Sequence, residues 1–295
     1  MDTIILKGKD VSSSIKKELS VQINKLKLKQ IVPCLAAIIV GDNPASKLYV
    51  NSKVKTFKKM DCNSGIFELD SDISERDLLN LIEKLNNDDQ YHGILLQLPL
   101  PEHLNEKKML EKIKPEKDVD GFHPKNQGYL MQGNPSFISA TPFGCLKILE
   151  YYNIDTSGKN IVVIGRSNIV GKPIASLLSQ NAKYGNGTVT LCHSRTKNLS
   201  NFTKQADIII AAVGVPNLIK KDMIKDGVHI IDVGINRLDD KNIEKGYRVV
   251  GDVDFDDVLG KAGSITPVPG GVGVMTVTML LSNTVKAAFN QMKDD

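Results

Sequence analysis

Apolar residues along this chain follow two spacings that alternate from one end to the other. Short continuous apolar runs, such as residues 34–40 and 161–164, predict buried strands. Between these runs, apolar residues recur at helical spacing, as Val11, Ile15 and Leu19 do. Alternating strands and helices are typical of a parallel sheet covered by helices, so the pattern predicts an α/β fold.

The same pattern gives approximate bounds for each predicted element. In the first half it predicts helices beginning at Asp10 and over residues 44–60 and 74–85, and strands over 34–40, 65–69 and 93–98. In the second half it predicts strands over 161–164, 188–192, 208–213 and 229–233, and helices over 170–179 and 275–289. Residues 115–139 and 264–273 are expected to be loops. Thr141 is the expected cap of a helix that has Pro142 in its first position.

Length and charge narrow the classes of protein to consider. The chain has 295 residues, which is enough for two compact domains or one large α/β domain. Its net charge of +4 is spread along the sequence instead of forming the basic stripe typical of nucleic-acid binding, so no nucleic-acid partner is expected. The small excess suits an anionic small molecule, although lysine-rich helices are more often simply solvated.

Cysteine and histidine spacing excludes the common metal sites. The four cysteines lie far apart and the five histidines form no ligand pair, so we expect no metal and a reducing compartment. The first residues lack the pattern of a secretory signal, and no apolar run approaches the length of a membrane span. These features predict a cytoplasmic protein with no membrane partner.

A glycine-rich turn follows the predicted strand at residues 161–164. Gly165 and Gly171 bracket this turn, which opens a helix and so offers backbone N–H groups to a diphosphate. The spacing is not the full GxGxxG pattern, and a tight turn that binds nothing is the alternative. Gly214, after a later strand, is a second point where backbone could approach a ligand.

The end of the next strand bears on which dinucleotide would bind. At this point an acidic residue favours NAD, whereas an arginine favours the 2′-phosphate of NADP. The chain has Ser194 and Arg195 here, with Arg166 in the preceding turn and no acid, and this arrangement favours NADP. The alternative is that Arg195 is an exposed arginine without a ligand.

Candidate catalytic residues occur in the first half. Tyr49 and Lys53 lie four residues apart on one predicted helix face, where burial could lower the lysine pKa enough for proton transfer. Most lysines of that helix are expected to be solvated. Gln97 follows a buried strand, at the sheet edge where open α/β folds bind ligands, although it could merely cap the strand. Asp118 and Asp120 precede Gly121 and suggest either a turn, which spacing alone favours, or a carboxylate aimed at a substrate amine.

Together these segments resemble the bifunctional methylenetetrahydrofolate dehydrogenase/methenyltetrahydrofolate cyclohydrolase family. The motifs occur in order along almost the whole chain: Tyr49-Val50-x-x-Lys53, GILLQLPLP at 93–101, PEKDVDG at 115–121, GRSxxVGxP at 165–173 and TPVPGGVG at 266–273. The resemblance implies oxidation of 5,10-methylenetetrahydrofolate with NADP, then hydrolysis of the methenyl product to 10-formyltetrahydrofolate. These reactions belong to one-carbon metabolism, which supplies purine biosynthesis.

The resemblance also implies a role for each candidate residue. Lys53 is the implied catalytic lysine, Tyr49 stacks on the folate, Gln97 tunes Lys53 by hydrogen bonding, and Asp120 anchors the pterin ring. The expected cofactor contacts are Gly165, Arg166, Ser167, Ser194, Arg195, Gly214, Ile235 and Thr276. The expected substrate contacts are Tyr49, Lys53, Gln97, Leu98, Pro99, Asp120, Pro267 and Gly271.

The implied architecture is two α/β domains flanking a cleft, the second of them Rossmann-like. Residues 1–140, completed by the C-terminal helix 273–295, would bind folate and carry the chemistry, and residues 141–272 would bind NADP. A homodimer through the cofactor domain is implied, with tetrahydrofolate derivatives, polyglutamylated or not, as substrates. Val274 departs from the proline usual in the family, so a less rigid start to the last helix is expected.

Two alternatives to the bifunctional enzyme remain. The first is a monofunctional dehydrogenase without hydrolase activity, against which the presence of both Lys53 and Gln97 argues. The second is a non-catalytic NADP-binding protein built on the same fold.

Overall fold

The computed structural model describes residues 2–240 and 246–292. The strands are β1 (Ile4–Ile5), β2 (Cys34–Val40), β3 (Asn63–Leu69), β4 (Gly93–Leu96), β5 (Asn160–Ile164), β6 (Thr188–Cys192), β7 (Ile208–Ala211), β8 (His229–Asp232), β9 (Asn236–Asp239), β10 (Tyr247–Val250) and β11 (Ser264–Ile265). The helices are α1 (Gly8–Leu28), α2 (Pro44–Lys59), α3 (Glu75–Asn86), α4 (Glu106–Lys112), α5 (Pro124–Met131), α6 (Ala140–Tyr151), α7 (Gly171–Ser179), α8 (Leu199–Thr203), α9 (Phe255–Val258) and α10 (Val272–Asn290), with a 3₁₀ turn at Lys221–Met223.

The chain divides into two compact units. One unit comprises Ser14–Ala140 and Val277–Asp295 and contains a three-stranded parallel sheet in the order β3-β2-β4. All seven residues of the central strand β2 are buried, which explains why its sequence is apolar throughout instead of alternating. Open parallel sheets bind ligands at the carboxyl ends of their strands, and the loops after β2 and β4 can present polar side chains at this edge.

The other unit comprises Met1–Ser13 and Thr141–Thr276 and contains a six-stranded parallel sheet. Its strand order is β1-β11-β8-β7-β5-β6, with β7 and β6 on either side of β5. Apolar residues of β5, β7 and β8 form a core cluster with residues of β11, α9 and the intervening loops. A separate antiparallel pair joins β9 to β10.

The structure confirms the α/β class and the alternation of strands and helices. The division at the N-terminus differs from the expected boundary, because β1 pairs with β11 and the first 13 residues join the six-stranded unit. The expected loop over residues 115–139 contains α5, an eight-residue helix that begins with Pro124 and is capped by the His123 side chain. Thr141 is not the cap it was predicted to be, because α6 begins at Ala140 and Thr141 lies in its first turn.

Helix α10 corrects another expectation. Its 19 residues are long and apolar enough to span a membrane by length and composition, although the sequence suggested no such run. However, 61% of its most apolar window is buried inside the protein, as in a core helix. The helix begins at Val272, two residues before Val274, so valine in place of the family's proline does not prevent the helix from starting there.

Candidate active site

Lys53 and Gln97 form the centre of the candidate site. Lys53 lies on α2 with only 8% of its surface exposed, and its Nζ donates a hydrogen bond to Oε1 of Gln97 at 3.1 Å. Gln97 directly follows β4, and its Nε2 donates to the backbone carbonyl of Leu98 at 2.7 Å. Because the amide nitrogen is held by the backbone, the amide oxygen faces the lysine. That oxygen can accept from either the ammonium or the neutral amine, so it can hold Lys53 during proton transfer.

Burial in the pocket shifts the pKa values of Lys53 and Asp120 towards neutral pH. Burial lowers the pKa of Lys53, and the negative charge of Asp120 partly opposes this effect. Burial raises the pKa of Asp120 to about 6, while the charge of Lys53 lowers it and that of Asp118 raises it. Neither group is therefore as firmly fixed in its charged form as it would be on an open surface.

Other residues of α2 provide the contrast. Lys55 and Lys58 are exposed, and Lys47 forms an ion pair with Asp42 at 2.6 Å. The solvated interpretation therefore applies to these lysines and not to Lys53. Tyr49, one turn before Lys53, is 44% exposed, which leaves its ring accessible to a flat ligand.

Asp118 shapes the loop that carries Asp120. Its buried carboxylate accepts hydrogen bonds from the backbone N–H groups of Phe122 (3.1 Å) and His123 (2.8 Å) and from Nδ2 of Asn126 (2.7 Å). Gly121 has a φ of +69°, and a Cβ there would lie 2.8 Å from the backbone nitrogen of Ser139. The turn interpretation therefore describes Asp118 and Gly121, whereas the Asp120 carboxylate belongs to the Lys53 site.

Asn283 of α10 also supports this loop. Its Nδ2 donates to the backbone carbonyls of Val119 (2.8 Å) and Ile138 (2.9 Å), and the residue is 2% exposed. The carbonyl of Val119 immediately precedes Asp120 in the chain. Nothing in the sequence singled out Asn283, because its partners lie far away along the chain.

In the other unit, the glycine-rich turn after β5 is too tightly packed for side chains. Gly165 has a φ of +117°, and a Cβ on it would lie 2.1 Å from the Ala212 carbonyl oxygen. A Cβ on Gly171 would lie 1.9 Å from the Gly165 carbonyl oxygen. The hydroxyl of Ser167 accepts from the backbone nitrogens of Val170 and Gly171, at 3.1 and 3.3 Å, at the start of α7. The sequence thus builds a compact strand–turn–helix unit.

The predicted cofactor residues cluster at the carboxyl ends of three neighbouring strands. Arg166 follows β5, Arg195 follows β6 and Gly214 follows β7, and these strands are adjacent in the sheet. Both arginines are exposed, and among the described residues neither forms an ion pair. Gly214 has a φ of +69° with open space where a Cβ would be. A free guanidinium beside β6 and an open glycine surface suit a phosphorylated dinucleotide such as NADP.

The remaining predicted residues occupy varied positions. Ser194 is exposed beside Arg195, and the side chain of Ile235 is 50% exposed. The hydroxyl of Thr276 lies 3.0 Å from that of Thr141. Leu98 is half-buried and Pro99 exposed, after Gln97. Pro267 and Gly271 pack against each other in the unit with the six-stranded sheet, where a Cβ on Gly271 would lie 2.6 Å from the Pro267 carbonyl oxygen.

Metal and thiol chemistry find no support in the described part of the chain. No group of three or more histidine, cysteine, aspartate or glutamate residues there could hold a metal ion. All four cysteines are free and buried, and burial raises the pKa of both Cys62 and Cys145 to about 12. Thiols that stay protonated at neutral pH are poor nucleophiles, so they serve as packing groups.

Comparison with known proteins agrees with this geometry in both units. Residues 6–120 match the model for the catalytic domain of tetrahydrofolate dehydrogenase/cyclohydrolase. Residues 139–292 match the model for the NAD(P)-binding domain of the same family. The bifunctional protein FolD of Chlorobium chlorochromatii is 52% identical over 287 residues, which cover 96% of this chain and 97% of the relative.

Two solved structures extend the similarity to three dimensions. The bifunctional FolD enzyme of Campylobacter jejuni is 51% identical with a TM-score of 0.93, and the match covers 98% of this chain and all of that one. The Trypanosoma brucei FolD enzyme, solved with NADP and an inhibitor, is 36% identical with a TM-score of 0.92 over 98% of both chains. The chain belongs to the tetrahydrofolate dehydrogenase/cyclohydrolase family.

Proposed function

We propose that this chain is a bifunctional enzyme that oxidises 5,10-methylenetetrahydrofolate with NADP and hydrolyses the methenyl product to 10-formyltetrahydrofolate. The observation that carries this proposal is the buried Lys53, held by Gln97 and coupled to Asp120. A surface lysine would stay protonated at neutral pH and could not accept a proton from water. Burial lowers the pKa of Lys53 and so favours the amine form that the hydrolysis needs.

In the hydrolysis, Lys53 manages two proton transfers. The methenyl carbon is already a cationic electrophile, so an attacking water needs only to lose a proton, and neutral Lys53 accepts it. The resulting carbinol opens when the bond from carbon to N5 breaks, and the Lys53 ammonium returns the proton to N5. The hydroxyl proton passes to solvent as the formyl group forms on N10. The amide oxygen of Gln97 keeps Nζ in place in both protonation states.

Asp120 and Tyr49 orient the folate for both reactions. An ionised Asp120 can accept hydrogen bonds from the amino group and ring N–H of the pterin, and this two-point contact fixes the ring plane. The exposed ring of Tyr49 supplies a stacking surface one turn from Lys53. Leu98 and Pro99 extend the contact surface beyond Gln97.

NADP, when bound, supplies the two-electron oxidant for the dehydrogenase reaction. The Gly165–Gly171 turn would receive its diphosphate, Ser194 and Arg195 its 2′-phosphate together with Arg166, and Gly214, Ile235 and Thr276 would complete the contacts. These residues position and select the nucleotide, and the reaction itself needs mainly alignment of donor and acceptor. Pro267 and Gly271 would contact the folate substrate in the same reaction.

An assay that separates the two products tests the proposal against both alternatives. Purified protein is given 5,10-methylenetetrahydrofolate with NADP or with NAD, and the methenyl and 10-formyl products are quantified separately. We expect both products, with faster turnover on NADP. Methenyl product alone would indicate a monofunctional dehydrogenase. NADP binding without any turnover would indicate a non-catalytic binding protein.

We also infer that the protein forms a cytoplasmic homodimer through the unit that contains the six-stranded sheet. Strand β6 forms one edge of that sheet, with Leu191 exposed on it and Phe202 exposed on the nearby α8. An edge strand with exposed apolar neighbours is commonly covered in the assembled protein. Light scattering behind a sizing column should give twice the chain mass, and a monomer at micromolar concentration would contradict this inference.

A further inference from the structure

Two buried carboxylates lie beside the predicted cofactor loops and have no role in the chemistry described above. Asp232, the last residue of β8, is 3% exposed, and Asp252, just after β10, is completely buried. Among the described residues no cation pairs with either of them. Two buried negative charges without a cation are costly, so the hydrogen bonds that compensate them indicate what they are for.

Asp252 ties together two loops that follow different strands. Its Oδ2 accepts hydrogen bonds from the backbone nitrogens of Val213 (2.7 Å) and Gly214 (3.0 Å), which follow β7. Its Oδ1 accepts from Nδ2 of Asn236 at 2.9 Å, immediately after Ile235. Gly214 and Ile235 are both expected cofactor contacts, and Asp252 fixes the backbone of one and the chain neighbour of the other.

Asp232 fixes Asp252 in turn. Its Oδ1 accepts from the backbone nitrogens of Gly234 (2.9 Å) and Asp252 (3.0 Å), and its Oδ2 accepts from that of Val253 (2.9 Å). Backbone N–H groups thus replace water around both carboxylates. The two aspartates form one hydrogen-bonded unit, which we call the aspartate clamp.

Two glycines leave room for the aspartate clamp. A Cβ on Gly234 would lie 2.3 Å from Oδ1 of Asp252, and a Cβ on Gly251 would lie 1.8 Å from Oδ2 of Asp232. Each aspartate therefore packs against the glycine beside the other, and any side chain at either glycine would displace a carboxylate. The fit requires both glycines and both acids at once.

We infer that Asp252 is a positioning residue for NADP, which it serves by holding the Gly214 and Ile235 loops in their binding arrangement. This inference rests on the proposed function, because Asp252 would position residues of the same cofactor site. Asp252 is itself completely buried, so it acts through the loops and does not touch the nucleotide. Because it engages the N–H groups of Val213 and Gly214, the ligand meets the open Cα surface of Gly214.

The test compares Asp252→Ala and Asp252→Asn with wild type. The dissociation constant for NADP⁺ is measured by calorimetry without folate, and methenyl hydrolysis is measured without nucleotide. We expect Asp252→Ala to raise the dissociation constant about tenfold or more, the scale of a lost hydrogen-bonded contact. Hydrolysis should change less than about twofold, because Lys53 belongs to the other unit. Asp252→Asn should restore most of the affinity. The side-chain oxygen of the new asparagine can accept from the Gly214 N–H, and its NH₂ group can donate to the Asn236 amide oxygen once that amide has rotated.

Asp207→Ala is the matched control. Asp207 precedes β7 at its opposite end, where it accepts from the backbone nitrogen of Asn160 at 2.7 Å and pairs with Lys225 at 2.5 Å. Its loss should lower thermal stability and leave NADP⁺ affinity unchanged. If Asp252→Ala does not fold, Asn236→Ala removes one contact of the clamp and should weaken NADP⁺ binding several-fold.

Three results would count against the inference. Unchanged NADP⁺ affinity in folded Asp252→Ala, or in Asn236→Ala if that is the variant that folds, would overturn it. Equal losses of affinity in Asp252→Ala and Asp207→Ala would mean that the clamp contributes only to general stability, and this result would also overturn the inference. Wild-type protein that hydrolyses methenyltetrahydrofolate but does not bind NADP⁺ would refute the proposed cofactor, and this positioning role with it.

Discussion

The amide oxygen of Gln97 lies 3.1 Å from the side-chain nitrogen of Lys53, and the backbone carbonyl of Leu98 holds the other end of that amide. The neutral partner matters because a carboxylate at the same place would favour the charged lysine. The pocket thus combines burial, which lowers the pKa of Lys53, with an acceptor that tolerates both protonation states.

Gln97→Glu should therefore impair hydrolysis by raising the pKa of Lys53. The hydrolysis rate should rise with pH as Lys53 loses its proton. The added negative charge should move the midpoint of this rise upward by about one pH unit or more. The pH–rate profile of methenyl hydrolysis measures this. Gln97→Met, which removes the hydrogen bond without adding charge, is the control and should show no upward movement. An unchanged profile for Gln97→Glu would contradict the role assigned to Gln97.

Asp120 should give the enzyme an acidic limb near pH 6. Burial raises the pKa of this carboxyl to about 6, so below that pH it is protonated and loses acceptor capacity for the pterin. We expect kcat/KM for the folate substrate to fall as the pH drops through about 6. Asp120→Asn should have a lower kcat/KM at every pH and should lack that acidic limb. A limb retained in Asp120→Asn would assign the titration to another group.

The same raised pKa has a consequence for stability with a definite sign. A carboxyl whose folded pKa lies above its unfolded value stabilises the protein most below the unfolded pKa, near 4. That contribution is lost as the pH rises through about 6. The stability of wild type relative to Asp120→Asn should therefore decline between about pH 4 and pH 6 in denaturant titrations. A relative stability that rises over this interval would contradict the shift.

Arg195 should discriminate NADP from NAD. Its exposed guanidinium forms no ion pair among the described residues, which leaves it available to the 2′-phosphate. Arg195→Ala should raise the dissociation constant for NADP⁺ about tenfold and leave that for NAD⁺ nearly unchanged. Arg166 and Ser194 would retain part of the phosphate affinity. Equal changes for the two cofactors would refute phosphate recognition by Arg195.

Asn283 should matter for folate more than for the nucleotide. Asn283→Ala leaves the buried carbonyls of Val119 and Ile138 without their donor, at a cost of about 2 kcal/mol in unfolding free energy. Because Val119 precedes Asp120, KM for the folate substrate should also rise, while NADP⁺ affinity stays constant. Asn290→Ala, at the exposed end of the same helix, is the control and should change stability by less than about 0.5 kcal/mol.

Elements whose structure is determined by local sequence pattern can be predicted from the sequence alone. The apolar runs at β2 and β5 identify buried parallel strands without any knowledge of their partners. Gln97 was expected at a strand end, and it follows β4 directly. The glycine-rich turn was expected between a strand and a helix, and it links β5 to α7.

Features that depend on distant partners could not be predicted in the same way. Helix α5 is short and relies on the ring of His123 for its cap, so its residues show no clear helical spacing. The burial of Lys53 depends on packing around α2 and on Gln97, which lies 44 residues away. The roles of Asp252 and Asn283 arise from loops and helices that meet only in the folded chain.

Hydrolysis of methenyltetrahydrofolate by Lys53→Met, compared with wild type and Lys55→Met, shows whether Lys53 carries the proton transfers. Lys55 is an exposed lysine on the same helix, so the same substitution there removes an identical side chain without touching the site. NADP⁺ binding is measured on the same preparations to show that each variant is folded. We expect Lys53→Met to lose hydrolysis by a factor of at least about 100, the scale of a lost general acid–base group, while Lys55→Met and NADP⁺ binding remain normal. Hydrolysis retained in Lys53→Met would show that Lys53 is not the general acid and base of the reaction.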